Sequence, residues 1–140
     1  DLLFRANKGS SFLPLQKAAS GGELSRIMLS IKSILAHYIK LPTIMFDEID
    51  TGVSGEISTK MATIMHQLSR SMQVFSITHL PQIAAKGDHH FKVYKKDTND
   101  KTATHLIKLN DEDRIVEIAQ MLGGEKISTS AIAHAKQLLN

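Results

Sequence analysis

The chain has 140 residues, of which 42% are hydrophobic and 22% charged, with a formal net charge of +3. That balance suits one folded domain, excludes a chain disordered throughout, and permits contact with phosphate without requiring it. The absence of cysteine excludes a disulfide, a thiolate metal site and a thiol nucleophile, and no apolar run approaches the ~20 residues of a membrane-spanning helix.

The opening "DLLF" predicts a strand already under way, followed by a turn at "NKGS". With no initiator methionine and no leader-like pattern, a fragment of a longer protein is expected. Leu24, Ile27, Met28, Ile31, Ile34, Leu35 and Tyr38 recur at i, i+3, i+4 and i+7. This spacing predicts an amphipathic helix over Gly21–Tyr38 with those residues as its core face. "TIMFD" after Pro42 is a short continuous apolar run, expected as a strand buried on both faces of a parallel sheet. Ile57, Met61, Ile64, Met65 and Leu68 mark a second helix, and "MQVFSIT" a second buried strand. Pro81 suits the first turn of a short helix ending near Ala85. "HFKVYKK" and "KTATHLIKL", separated by the polar "DTND", predict an antiparallel hairpin whose lysines suit an exposed edge. Asn110 is placed to cap a helix whose first turn holds Asp111, Glu112 and Asp113, favourable at the positive helix end. Ile115, Ile118, Ala119 and Leu122 give it a core face, Gly123–Gly124 stops it, and a last helix covers about Ser130 to Leu139. The order βαβαβ, then a hairpin and helices, predicts a layered α/β fold.

Three stretches carry chemistry. Ser20 followed three residues later by Glu23 forms a capping box, in which each side chain satisfies a backbone amide of the other. The box does not account for Gly21 and Gly22, since glycine costs a helix about 1 kcal/mol relative to alanine. A bare backbone at the positive helix end would let a phosphate reach the amides, so Ser20–Gly22 is either a cap alone or a cap with an anion site. "IMFDEID" puts Asp47 and Glu48 where a buried strand ends, the place where parallel α/β sheets hold ligands. Asp47 could hold Mg²⁺ directly or through water, and Glu48 could orient and deprotonate a water; the alternative is a polar loop that merely begins there. "DTG" at Asp50–Gly52 also matches an aspartic-protease triplet, discounted because the surroundings are α/β and no second copy exists. His79 leaves the next strand at the corresponding end, where an imidazole could sense a phosphate oxygen or sit as an ordinary loop histidine. His37, His66, His89, His90, His105 and His134 show no zinc-ligand spacing.

In this order, "ASGGELSR", "PTIMFDEIDTGVSGE" and "ITHLPQIAA" resemble the C-terminal lobe of an ABC-type ATPase head, a P-loop NTPase-like fold. Within that class the chain resembles the RecN family of bacterial SMC-like ATPases of DNA double-strand-break and recombinational repair. The resemblance covers nearly all of residues 1–140 and includes "RIVEIAQMLGG" and "AIAHAKQLL". It implies one lobe with parallel strands flanked by helices, then a β-hairpin and two helices. It further implies that Ser20, Gly21, Gly22 and Glu23 are the signature that meets ATP held by an opposite head. Asp47 then matches the Walker B aspartate on Mg²⁺, reached through water, and Glu48 the catalytic glutamate. Asp50, Thr51 and Gly52 fall in the D-loop, and His79 matches the switch histidine. Ser54 stands where SMC heads carry an aspartate, so no catalytic role is assigned to it.

The sequence lacks GxxxxGK[ST], the loop that cradles phosphates, and lacks long heptads. The expectations are therefore ATP and Mg²⁺ as cofactors of the full-length protein only, and an isolated chain unable to turn ATP over. A second head, the P-loop lobe of the same protein and DNA are the expected partners, with no membrane and a location in the bacterial cytoplasm at the nucleoid. Without the P-loop strand the sheet should present an open apolar edge, so the isolated piece is expected to self-pair or aggregate. Two other readings stay open. The head could act chiefly as an ATP-gated DNA-tethering clamp with turnover as a reset, or Lys92, Lys95, Lys96, Lys101 and Lys108 could make the hairpin a nucleic-acid surface. A head of another SMC or ABC type, such as a transporter ATPase, is a further alternative.

Overall fold

The computed structural model describes residues 2–5, 7–47, 49–98, 101–124 and 126–140. The chain divides into two compact units, Asp1–Thr78 and His79–Asn140.

The first unit begins with two short strands, β1 (Leu3–Phe4) and β2 (Leu13–Pro14), paired antiparallel, then a single helical turn, α1 (Leu15–Ala18). The opening strand is therefore not part of the parallel sheet, which corrects the βαβαβ expectation: β1 finds its backbone partners locally, ten residues on. Helix α2 (Gly21–Tyr38) has the predicted bounds. β3 (Thr43–Asp47), α3 (Gly55–Leu68) and β4 (Gln73–Ile77) follow as one βαβ unit. β3 and β4 pair in parallel from Thr43↔Gln73 to Asp47↔Ile77. The Pro42 carbonyl accepts from Gln73 N at 2.9 Å and starts that register.

Two expectations about burial are corrected. β3 alternates: Ile44 and Phe46 are buried, whereas Thr43, Met45 and Asp47 are exposed. β4, expected as a second buried strand, buries none of its residues: Val74 is half-buried and Gln73, Phe75, Ser76 and Ile77 are exposed, so the face carrying Met45, Asp47, Phe75 and Ile77 is open and the opposite face is covered chiefly at Ile44 and Phe46. Helix α2 likewise buries Leu29 and Ala36, while Leu24, Met28, Ile31, Ile34, Leu35 and Tyr38 are exposed. The apolar stripe that periodicity marks as the core face is the face this chain leaves open. α3 does bury Met61, Ala62, Met65 and Leu68 as its spacing demands.

The second unit opens with α4 (Pro81–Lys86), with proline at the helix start. The hairpin β5 (Phe91–Thr98) and β6 (Lys101–Lys108) pairs from Phe91↔Lys108 to Thr98↔Lys101. β6 is exposed along its whole length, consistent with the lysine-rich edge; the turn at Asn99 and Asp100 lies outside the described residues. Asn110 caps α5 (Asp111–Gly123) by accepting the amide of Asp113 at 2.8 Å. Gly124, at φ 75°, ends it in a backbone conformation that side-chain-bearing residues rarely adopt. α6 (Thr129–Leu139) packs on α5. The core here is Ile118 and Ala119 of α5, Ala131 and Ala135 of α6, and Ala85 of α4.

Arg114 joins α4 to α5. Its guanidinium donates to the carbonyls of Ala84 and Ala85, the latter at 2.8 Å, and to that of Gly87. These are the orphan carbonyls at the C-terminal end of α4, where a cation is also favoured by the helix dipole. Lys92 pairs with Glu117 and ties the hairpin to α5. His90 lies beside this pair. Burial holds its imidazole below the usual histidine range, and the Arg114 charge adds to the effect.

Candidate functional site

The tip of α2 shows how the sequence builds a helix start that is both capped and open. Ser20 is extended (φ −67°, ψ 162°) and not yet helical. Its Oγ accepts from the Glu23 amide at 3.4 Å and donates to Glu23 Oε2 at 2.7 Å, while its own amide donates to Glu23 Oε2 at 2.8 Å. The reciprocal box expected from the sequence is present. These bonds, with Arg26 contributing less, hold the Glu23 carboxyl below the usual range. The box engages the amides of Ser20 and Glu23. Those of Gly21 and Gly22 also lie in the first turn, where no carbonyl one turn back can accept them.

The two glycines are not equivalent. A Cβ at Gly21 would meet nothing within 4 Å. A Cβ at Gly22 would sit 3.3 Å from the carbonyl oxygens of Thr51 and Gly52, and 3.3 Å from Nη1 of Arg26. At Gly22 the helix and the 50–52 loop thus approach more closely than a side chain ordinarily allows, a packing reason invisible in the sequence. Gly21 leaves the helix end open.

That loop follows β3. Asp47 is the last residue of the strand and is exposed at its carboxyl end. Glu48, assigned as the catalytic base, lies outside the described residues. Asp50 is only 1% exposed, and its Oδ2 accepts from the hydroxyl of Thr78, just beyond the end of β4. The Asp50 carbonyl accepts from Val53 N at 3.1 Å, closing a turn in which Gly52 takes φ 72°. Ser54 then caps α3 through its backbone: its carbonyl accepts from Ser58 N at 3.0 Å, and its side chain makes no cap bond.

The first unit therefore brings Gly22, Thr51, Gly52, Asp50 and Thr78 into one connected group. Asp47 stands at the end of the same strand that leads into the loop. His79 is exposed in the connection from β4 to α4 and opens the second unit. Thr78 was not singled out by sequence reasoning. Its neighbours along the chain carry no mark of Asp50, 28 residues away.

Among the described residues no three His, Cys, Asp or Glu side chains converge as a metal site. A single exposed carboxylate at Asp47 fits Mg²⁺, which keeps most of its waters and is commonly held by one or two carboxylates together with substrate phosphates. The open Gly21 tip fits an anionic oxygen. No helix among the described residues is long and apolar enough to cross a membrane.

No family model matches the chain. Among curated proteins it is 43% identical over 137 residues to the DNA repair protein RecN of Vibrio cholerae, covering 98% of this chain and 25% of that protein. It is 42% identical over 137 residues to RecN of Bacillus subtilis, with 98% and 24% covered. It is 41% identical over 138 residues to RecN of Deinococcus radiodurans, with 99% and 24% covered. The chain spans about a quarter of the length of these relatives. Among solved structures it is similar to a chain from work on ATP-driven dimerization and DNA-stimulated activation of SMC ATPases, at a TM-score of 0.63 and 19% identity, covering 84% of this chain and 70% of that one. It is also similar to an SMC head bound to the C-terminal winged-helix domain of ScpA, at a TM-score of 0.62 and 22% identity, covering 75% and 31%. The fold is that of an SMC-type ATPase head.

Proposed function

From the premise that the chain belongs by sequence with the RecN family of DNA repair proteins, about a quarter of whose length it spans, we propose that it is the signature-bearing C-terminal lobe of an SMC-like, DNA-repair ATPase head. In this reading residues 1–140 complete an ATP site whose phosphate-cradling loop lies in another segment. The observation that carries it is the tip of α2: a capped helix start whose Gly21 has open space beside it. Such a tip offers the open first-turn backbone at Gly21 and a positive dipole end to a γ-phosphate presented by a second head. ATP then acts as the bridge between heads.

The remaining roles follow the family resemblance. Asp47, at the end of β3, would hold Mg²⁺ through water, and the ion would supply charge neutralisation on the phosphates. Glu48 orients and deprotonates the attacking water, and His79 contacts the γ-phosphate from the end of β4. Asp50, Thr51 and Gly52 form the loop between them.

The open faces support the proposed partner lobe. The exposed stripe of α2 and the exposed Met45, Phe75 and Ile77 are apolar surface that folding would bury against another segment. The P-loop lobe of the same protein is the expected cover. The full-length protein is accordingly the ATPase, with DNA as its working partner in the bacterial cytoplasm, and this chain alone is inactive.

The test is Gly21→Val in the full-length protein. It adds bulk where the chain itself leaves room, so folding is preserved while a phosphate is excluded. ATP-dependent head dimerisation and hydrolysis should both be lost with unchanged circular dichroism. Retention of both would refute the reading. Gly22→Val is the poorer probe, because its side chain would strike the Thr51 and Gly52 carbonyls first.

A further inference from the structure

The D-loop acid has a feature that nucleotide contact does not require. Asp50 is almost wholly buried, with 1% of its surface exposed, so it cannot itself reach a nucleotide from this position. A buried carboxylate is costly unless it is hydrogen-bonded, and here Oδ2 accepts the Thr78 hydroxyl. Thr78 is the residue before His79. In the other direction, the two residues after Asp50 place their carbonyls 3.3 Å from the Cβ position of Gly22. Val53 N donates to the Asp50 carbonyl and Gly52 is fixed at φ 72°, so the loop has little freedom to shift without moving Asp50. A continuous path of packed and hydrogen-bonded atoms thus runs from the end of β4, through Asp50, along the loop backbone, to the first turn of α2.

We propose that Asp50 and Thr78 are positioning residues that lock the end of β4 to the signature tip of α2, so that both nucleotide-facing elements move as one. The proposal rests on the reading of the α2 tip given above and assigns Asp50 a role inside its own lobe. The physical reason is stiffness: glycine at position 22 lets loop and helix meet backbone to backbone, and the buried hydrogen bond fixes where the loop stands. Displacement of catalytic groups by about 1 Å can cost about 100-fold in rate, which makes such a lock valuable at a shared site.

The test uses the full-length protein with Thr78→Val, which keeps side-chain volume and removes the hydroxyl, and Thr78→Ser, which restores it. Hydrogen exchange is read at the amides of residues 20–24, together with kcat and KM for ATP. Thr78→Val should speed exchange at the α2 tip about tenfold while leaving α3 unchanged, and should lower kcat about 10–100-fold with KM within about threefold, because a positioning contact acts on the transition state more than on binding. Thr78→Ser should return both toward wild type. Should valine prevent folding, Thr78→Ala removes the same hydroxyl without bulk and must give the same pattern. Unchanged exchange at residues 20–24, equal losses in Thr78→Val and Thr78→Ser, or exchange raised uniformly through the unit would each overturn the lock. The Gly21→Val protein separates the two ideas. If it hydrolyses ATP normally, the tip reading falls and the functional half of this proposal with it. If it is inactive while Thr78→Val behaves as wild type, only the lock falls.

Discussion

Placing alanine at Gly21 and at Gly22 separately gives a sharp contrast from one structural difference. Glycine-to-alanine exchange in a helix gains up to about 1 kcal/mol, less in the first turn, because the unfolded chain loses fewer conformations. At Gly21 the new methyl meets nothing within 4 Å, so Gly21→Ala should be neutral or stabilising by a few tenths of a kcal/mol, roughly half the interior value. At Gly22 the methyl would stand 3.3 Å from two backbone carbonyl oxygens that a turn and a positive-φ glycine hold in place. Overpacking of that kind costs about 1–3 kcal/mol, which outweighs the propensity gain and leaves Gly22→Ala about 1–2 kcal/mol less stable. Hydrogen exchange of the α2 amides in the full-length protein measures this locally. A loss of 1–2 kcal/mol corresponds to about 5–30-fold faster exchange. Exchange in Gly22→Ala equal to or slower than in Gly21→Ala would refute the argument that position 22 is a close-approach glycine.

Four further outcomes are expected. Ser20→Ala removes the cap of α2 and should destabilise that helix by about 1 kcal/mol, read as faster exchange at residues 21–24 with little change in α3. The Glu23 carboxyl is held below its usual range by its bonds to Ser20. Its contribution is therefore complete above the ordinary carboxylate range and lost as pH falls through the lowered value; Glu23→Gln should flatten that acid-side dependence, and an unchanged pH profile would count against the box. His90 is depressed from 6.5 by burial and by Arg114, so the second unit should lose stability as pH drops below about 6.5, and His90→Gln should remove that slope in exchange measurements on α5. Arg114→Met leaves the Ala84, Ala85 and Gly87 carbonyls without their charged donor and should weaken the α4–α5 junction by about 2 kcal/mol, seen as early exchange of α4.

Much of the local structure was legible because it depends on local physics. The α2 bounds followed from Ser20, Glu23 and a 3.6-residue period, and α5 from Asn110 and three acids in the first turn. The hairpin followed from a polar gap between two lysine-rich strands. Asp47 at the end of a parallel strand was also readable, since the apolar run at residues 44–46 gives way there to acids. Periodicity failed at a definite point. It identified the apolar stripe of α2 correctly but not what covers it, and this chain turns Leu29 and Ala36 inward instead. It likewise took "TIMFD" as buried on both sides, although only Ile44 and Phe46 are.

The amino-acid order by itself determined the caps, the helix and strand spans and the positions of the charged groups at strand ends, because each rests on residues within a few positions of one another. Only the tertiary structure separated Gly21 from Gly22, found Thr78 as the partner of a buried Asp50, and set Arg114 across the end of α4. Those pairs lie about 30 residues apart, and neither partner carries a mark of the other in its local sequence. A backbone has to fold before a missing side chain becomes either a gap or a contact.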